Sequence, residues 1–144
     1  TCVQGTVKNV SRWELSFQND GCWPGVSPNH GRKYHLHCSS AIHRHCKRQG
    51  FASGFGPVEA ANVQPREPNA LTITCLESDT VEVMEAPFPR LSALHRSCNG
   101  VTQMFGADCN AAIHRFCRAE GFVSGFGPVE VTPLVSATVA CVRD

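Results

Sequence analysis

The run Cys38-Ser-Ser-Ala-Ile-His-Arg-His-Cys46-Lys-Arg-Gln-Gly50-Phe-Ala-Ser-Gly-Phe-Gly-Pro-Val-Glu59 returns, without a gap, from Cys109 to Glu130. Both copies keep their two cysteines, Ala-Ile-His-Arg, Gly-Phe and the whole of Ser-Gly-Phe-Gly-Pro-Val-Glu. Whatever buries one copy must therefore bury the other. The match reaches outward more weakly: Thr1-Cys2 lines up with Thr74-Cys75, Cys22 with Cys98, and Leu71 to Cys75 with Ala137 to Cys141. Two units, 1–73 and 74–144, fill the 144 residues. Such a period is too long for a solenoid repeat and suits two small domains.

Within each copy the pattern predicts a helix, a glycine stop and a strand. At 100° per residue Cys38, Ala41, Ile42, His45 and Cys46 form one stripe, and Cys109, Ala112, Ile113, Phe116 and Cys117 form its counterpart, facing the core. Gly50 and Gly121 stand where a helix needs a residue of positive φ, with Phe51 and Phe122 next, placed to pack back in a Schellman motif. Ser-Gly-Phe-Gly-Pro is expected to turn the chain before Val-Glu starts a strand. The alternation in Thr6 to Val10 and in Trp13 to Phe17 reads as two short strands, and Thr80 to Met84 is the equivalent of the first in the second unit. The units close on strands ending at Cys75 and Cys141. Between strand and helix lies a turn-rich loop, Asn19 to about Lys33, whose counterpart Asn99 to Asp108 is shorter; Asn62 to Asn69 reads as an irregular surface loop. The expected class is α+β: two tandem, disulfide-stapled modules, each a central helix packed on short antiparallel strands.

Units this small commonly need staples, and nine cysteines supply them. At that density they imply a disulfide framework and export to an oxidising compartment. Cys38 and Cys46 are separated by about 12 Å of helical rise, beyond disulfide reach, so each must pair outside its helix. One partition assigns Cys22, Cys38, Cys46 and Cys75 to the first unit and Cys98, Cys109, Cys117 and Cys141 to the second, leaving Cys2 over. The other begins each unit at its Thr-Cys and leaves Cys141 over. Within the first, Cys22–Cys38 with Cys46–Cys75 and Cys98–Cys109 with Cys117–Cys141 is favoured, since a bridge across the variable loop tolerates its changing length; spacing alone does not decide. An odd cysteine could join two chains, in a disulfide-linked or non-covalent homodimer, or link to a neighbouring repeat.

Net charge is +1 with scattered basic residues, so the electrostatic footprint of a nucleic-acid binder is missing. No apolar run is long enough to enter and cross a bilayer as a helix. With no signal peptide before Thr1, the numbering is expected to start on a mature or trimmed form. One sequon, Asn9-Val-Ser11, permits N-glycosylation in a eukaryotic secretory pathway.

Cys109-Asn-Ala-Ala-Ile-His-Arg, followed by Gly-Phe-Gly-Pro-Val-Glu-Val131, resembles the signature of the LCCL family, and Cys38-Ser-Ser-Ala-Ile-His matches it with one change. The likeness covers about twenty residues per unit. It departs where the family has a glycine after the residue following His, here His45 and Phe116, and in the added Cys46 and Cys117. The resemblance implies a helix wrapped by strands in an extracellular module of innate immunity, with affinity for microbial polysaccharide or lipopolysaccharide.

His43 and His114 fall at the border of the buried stripe, where a ring can bury its edge and bond a carbonyl or meet a ligand. Arg44 and Arg115 point to the exposed face; a cation there complements the helix dipole, while a guanidinium fork also suits anionic sugars, carboxylates or phosphates. Glu59 and Glu130 could accept paired sugar hydroxyls or form an ion pair with the arginine of their unit. Phe55 and Phe126 read as core plugs, with stacking on a sugar face as the alternative for an exposed ring there. In the variable loops Trp23, Arg32, Tyr34 and His35, and Asn99, Gln103 and Asp108, offer the aromatic, amide and charged groups that sugar sites use. His35-Leu-His37 on an extended segment would turn both rings to one side, as a metal requires, but the second unit lacks them, and neither metal nor cofactor is expected. Ser53 and Ser124 lack a nucleophile elbow, so no enzyme is expected. The composite expectation is a secreted, lectin-like glycan binder, with an adhesive module for a protein partner as the alternative.

Overall fold

The computed structural model describes residues 3–22, 36–61 and 70–144. Gln4–Glu77 forms one compact unit and Ser78–Asp144 the body of the other, so that the strand carrying Cys75 lies in the first. The fold is α+β, with two three-stranded antiparallel sheets and four disulfides.

The first unit runs β1 (Gly5–Ser11), α1 (Arg12–Ser16), a 3-10 turn at Asp20–Cys22, α2 (Leu36–Arg48), β2 (Ser53–Ala61) and β3 (Ala70–Leu76). Its sheet order is β1-β3-β2. The second runs β4 (Val81–Pro87), α3 (Phe88–Leu94), α4 (Ala107–Ala119), β5 (Ser124–Thr132) and β6 (Ser136–Val142), ordered β4-β6-β5. In each unit the closing strand is central, and the long helix packs on one face of the sheet.

Trp13 to Phe17, expected as a strand, is helix with its cap. Ser11 is the N-cap and accepts from the Glu14 amide at 3.1 Å, while the Glu14 carboxylate accepts from the Ser11 amide at 3.4 Å. This Ser-x-x-Glu capping box satisfies two amides that a strand would have to pair elsewhere, and it outweighs five residues of alternation. The second unit starts the equivalent helix with Pro87 as cap and a proline in its first turn. Arg12 and Phe88 hold the same position and are both 1 % exposed. Burial lowers the pKa of Arg12, and its Nε donates to the Cys22 carbonyl at 2.8 Å. A buried guanidinium in one unit thus stands where the other has a phenyl ring.

The long helices stop as expected. Gly50 and Gly121 take φ of 92° and 96°, the Phe51 and Phe122 amides donate to the Cys46 and Cys117 carbonyls, and the glycine amides donate to Lys47 and Arg118. These are the two bonds of the Schellman motif. The buried stripe is turned slightly from the expected one in the first unit: Cys38, Ala41, Ile42 and Cys46 are fully buried, but His43 is buried and His45 only half so. In the second unit Phe116 is buried and His114 half-buried.

Ser-Gly-Phe-Gly-Pro is not a turn but the first half of β2 and β5. The register slips between Phe55 and Glu59 and between Phe126 and Glu130, around Gly56-Pro57 and Gly127-Pro128. The strand begins early because Gly54 and Gly125 let it pass over the helix: a Cβ there would lie 2.3 Å from Cys46 Sγ or 2.2 Å from Cys117 Sγ. Proline within a strand is tolerated on an edge and at a bulge, and β2 and β5 are edge strands. The bridges are Cys22–Cys38, Cys46–Cys75, Cys98–Cys109 and Cys117–Cys141, the favoured pairing. Cys2 and the loop Asn62 to Asn69 lie outside the described residues.

Candidate functional site

Arg44 and Arg115 are exposed, as their angle on the helix predicts. Arg44 Nη1 donates to the Gln18 carbonyl at 2.8 Å and Arg115 Nη1 to the Leu94 carbonyl at 2.6 Å. Both carbonyls lie at or just past the C-terminal end of the short helix, where carbonyls lack intrahelical partners. The repeated arginine ties short helix to long helix in each unit. Arg115→Ala is expected to lower stability by about 1 kcal/mol, the usual net worth of such a bond at the surface, readable as a fall in Tm; an unchanged Tm would remove this role.

The expected arginine–glutamate pairs give way to this arrangement. Gly54 and Gly125 face the helix, so alternation turns Phe55 and Phe126 to the opposite side of the sheet, where Glu59 and Glu130 also stand by register. Arginine and glutamate therefore sit on opposite sides of the sheet. Phe55 is 37 % exposed and is not the core plug its glycine neighbours suggested. On that face each unit carries two aligned rows: Val7–Thr74–Phe55 and Asn9–Thr72–Glu59 in the first, Val83–Ala140–Phe126 and Glu85–Thr138–Glu130 in the second. Thr72 Oγ1 donates to Asn9 Oδ1 at 2.8 Å, and Thr138 Oγ1 donates to Glu85 Oε1 at 2.5 Å.

His43 Nδ1 and Ser53 Oγ are hydrogen-bonded at 2.8 Å, and so are His114 Nδ1 and Ser124 Oγ. In each unit the serine hydroxyl partners Nδ1 of the ring. Ser53 is fully buried and His43 nearly so, while His114 and Ser124 are half-buried; in each unit the pair pins the helix to the start of the strand.

A further set of contacts on the long helix differs between the units. His45 is half-buried, and Gln49 Nε2 donates to its Nε2 at 2.9 Å, while Lys8 of β1 donates to the Gln49 side chain. In the second unit Phe116 and Glu120 replace His45 and Gln49, and Arg90 of α3 lies over the Phe116 ring at 4.6 Å and pairs with Glu120 at 2.6 Å. Desolvation lowers the His45 pKa, with Glu14 raising it and Lys8 lowering it. Because the folded state resists the proton, the unfolded chain binds it first. Stability from His45 is complete above its ordinary pKa of 6.5 and declines as pH falls through the depressed folded value. The drop in Tm from pH 7.5 to 5 should shrink in His45→Phe; an equal drop would exclude this histidine.

Of the variable-loop candidates, Trp23, Arg32, Tyr34 and His35 lie outside the described residues. His37 is on the first turn of α2, not on an extended segment. Asn99 uses its Oδ1 to accept the Val101 and Thr102 amides at 2.8 and 2.9 Å, which folds its own loop. Gln103 accepts the Gly100 amide through its carbonyl. Asp108 opens α4 and stands 3.5 Å from His95 Nε2. Among the described residues no group of three or more His, Cys, Asp or Glu side chains is placed to hold a metal.

Among the described residues, large exposed apolar side chains stand before the first variable loop and within the second. Trp13 and Phe17 are 57 % and 69 % exposed on α1, their rings edge-to-face at 5.2 Å. In the second unit Val101 and Phe105 are exposed between α3 and α4. Treating 13–17 as a strand hid the aromatic pair; the spacing of four behind a capping box was the available signal. Comparison with protein-family models, with curated proteins and with solved structures returns no match.

Proposed function

We propose that this chain is a secreted, non-catalytic binding protein that recognises glycan, microbial polysaccharide or lipopolysaccharide among the candidates. Four disulfides, and no described helix long and apolar enough to cross a membrane, are compatible with secretion. The observation that carries the reading is the Trp13–Phe17 pair: two large rings held in water by a capped helix rather than buried beneath it. An indole face offers the flat apolar surface on which the C–H side of a sugar ring packs, and a rigid ring costs little entropy to immobilise. The LCCL likeness of the repeated core supports the same class of ligand.

The test is a glycan and polysaccharide array followed by titration of any hit. Trp13→Ala should weaken binding about tenfold, or about 1.4 kcal/mol, with the fold retained and Tm lowered only by the loss of the ring's own contacts, the edge-to-face one with Phe17 among them. Failure of the wild-type protein to bind any glycan would remove the reading. Val101 and Phe105 favour a second one, a protein partner, because exposed aliphatic and phenyl groups without a neighbouring ring are what protein interfaces cover. Phe105→Asp abolishing capture of such a partner, with the array blank, would establish it instead.

A further inference from the structure

Asn9 is the acceptor of the chain's single Asn-x-Ser/Thr sequon, and it lies on an edge strand. It is exposed, in the row Asn9–Thr72–Glu59 on the sheet face turned away from α2. Its side chain is held by one end only in a way that matters here: Oδ1 accepts from Thr72 Oγ1 at 2.8 Å. The amide nitrogen is the atom that N-glycosylation substitutes, and the oxygen is kept. The second unit places Glu85 at this position and makes the same threonine bond with a carboxylate, which cannot be glycosylated.

We propose that Asn9 is an N-glycosylation site of this protein when it passes through a eukaryotic secretory pathway. The donor is an oligosaccharide on a polyprenyl diphosphate. A bond forms between Asn9 Nδ2 and the anomeric carbon of the first sugar; the bond from that carbon to the diphosphate oxygen breaks. The lipid diphosphate leaves with the electron pair, and the amide gives up one proton. The folded structure accommodates the product without rearrangement, because the Thr72 bond survives and the substituent projects from an exposed face. Glycan there also shields β1, an edge strand of its sheet, against strand addition. The inference rests on export, not on glycan recognition, and neither Trp13 nor Phe17 enters it.

The sequon serine is also the N-cap of α1, accepting from the Glu14 amide, so the two roles of Ser11 must be separated. The full chain is expressed behind a heterologous signal sequence in a eukaryotic cell. Secreted and retained protein are both analysed by intact mass and peptide mapping, before and after peptide-N-glycosidase. Wild type should carry a glycan, with residue 9 reading as aspartate after enzyme treatment. Asn9→Gln should lose it. Ser11→Asp, which keeps a capping side chain but destroys the sequon, should lose it while matching wild type in Tm; Ser11→Thr should keep it. Wild-type protein with an unmodified Asn9 in both fractions overturns the proposal, as does a glycan that persists in Asn9→Gln.

Discussion

Gly54→Ala is expected to destabilise the first unit by about 3 kcal/mol, at the upper end of what overpacking costs. The new methyl carbon would lie 2.3 Å from Cys46 Sγ, and its next neighbours are the Cys46 Cβ at 3.0 Å and the Thr74 carbonyl at 3.1 Å. None of these is the far end of a flexible side chain. The sulfur is fixed by its bridge to Cys75 and the carbonyl by the sheet. Gly50→Ala is the control, since a methyl there meets nothing within 4 Å. Only its φ of 92° is penalised, at about 1 kcal/mol. Thermal unfolding of the two variants, with a titration of free thiols, separates crowding from backbone conformation. Equal losses would mean that the close passage of strand over disulfide is not what requires a glycine at position 54.

Removing the Cys46–Cys75 bridge by a double change to alanine should cost more than removing Cys22–Cys38. The bridges close segments of 29 and 16 residues, for which chain entropy alone assigns about 3.6 and 3.1 kcal/mol. Packing widens the gap. Gly54 rests directly on the Cys46 sulfur, so deleting the sulfur opens a void that a glycine cannot fill, and a cavity adds to the cost. Denaturant unfolding of the two double variants under oxidising conditions reads the order. Finding Cys22–Cys38 the more damaging loss would show that holding the start of α2 matters more than clamping its end to the central strand.

The repeated core was legible because its constraints are local. A cysteine-bearing apolar stripe, a glycine and a phenylalanine determine where α2 and α4 lie and how they end. That two cysteines on one helix cannot reach each other excluded Cys38–Cys46 and Cys109–Cys117 but left the pairing open, and the favoured scheme, with one bridge across each variable loop, is the one observed. The errors have equally local causes. Trp13 to Phe17 alternates like a strand over too few residues to compete with the cap formed by Ser11 and Glu14. Gly-Phe-Gly-Pro has turn composition, but its glycines serve a close approach and a bulge, which composition does not distinguish from a turn. Phe55, expected as a core plug beside that turn, instead lies exposed on the sheet face turned away from the helix. The arginines were correctly turned outward, yet each reaches a backbone carbonyl, 26 residues away for Arg44 and 21 for Arg115, and carbonyls carry no sequence signature. The exposed rings of α1 could only be recognised once the helix itself was.

Each of the four bridges begins and ends inside one unit. Four cysteines admit only three complete pairings, whereas eight sharing one pool admit on the order of a hundred. Oxidation during synthesis can therefore proceed in instalments. Once Cys75 has emerged, the leading segment holds Cys2 and the four thiols of its two bridges, and both bridges can close while the trailing one is still unmade. Sequestering those four thiols early leaves the later set a search widened only by Cys2, so that duplication doubles the number of staples while adding few ways of misplacing them.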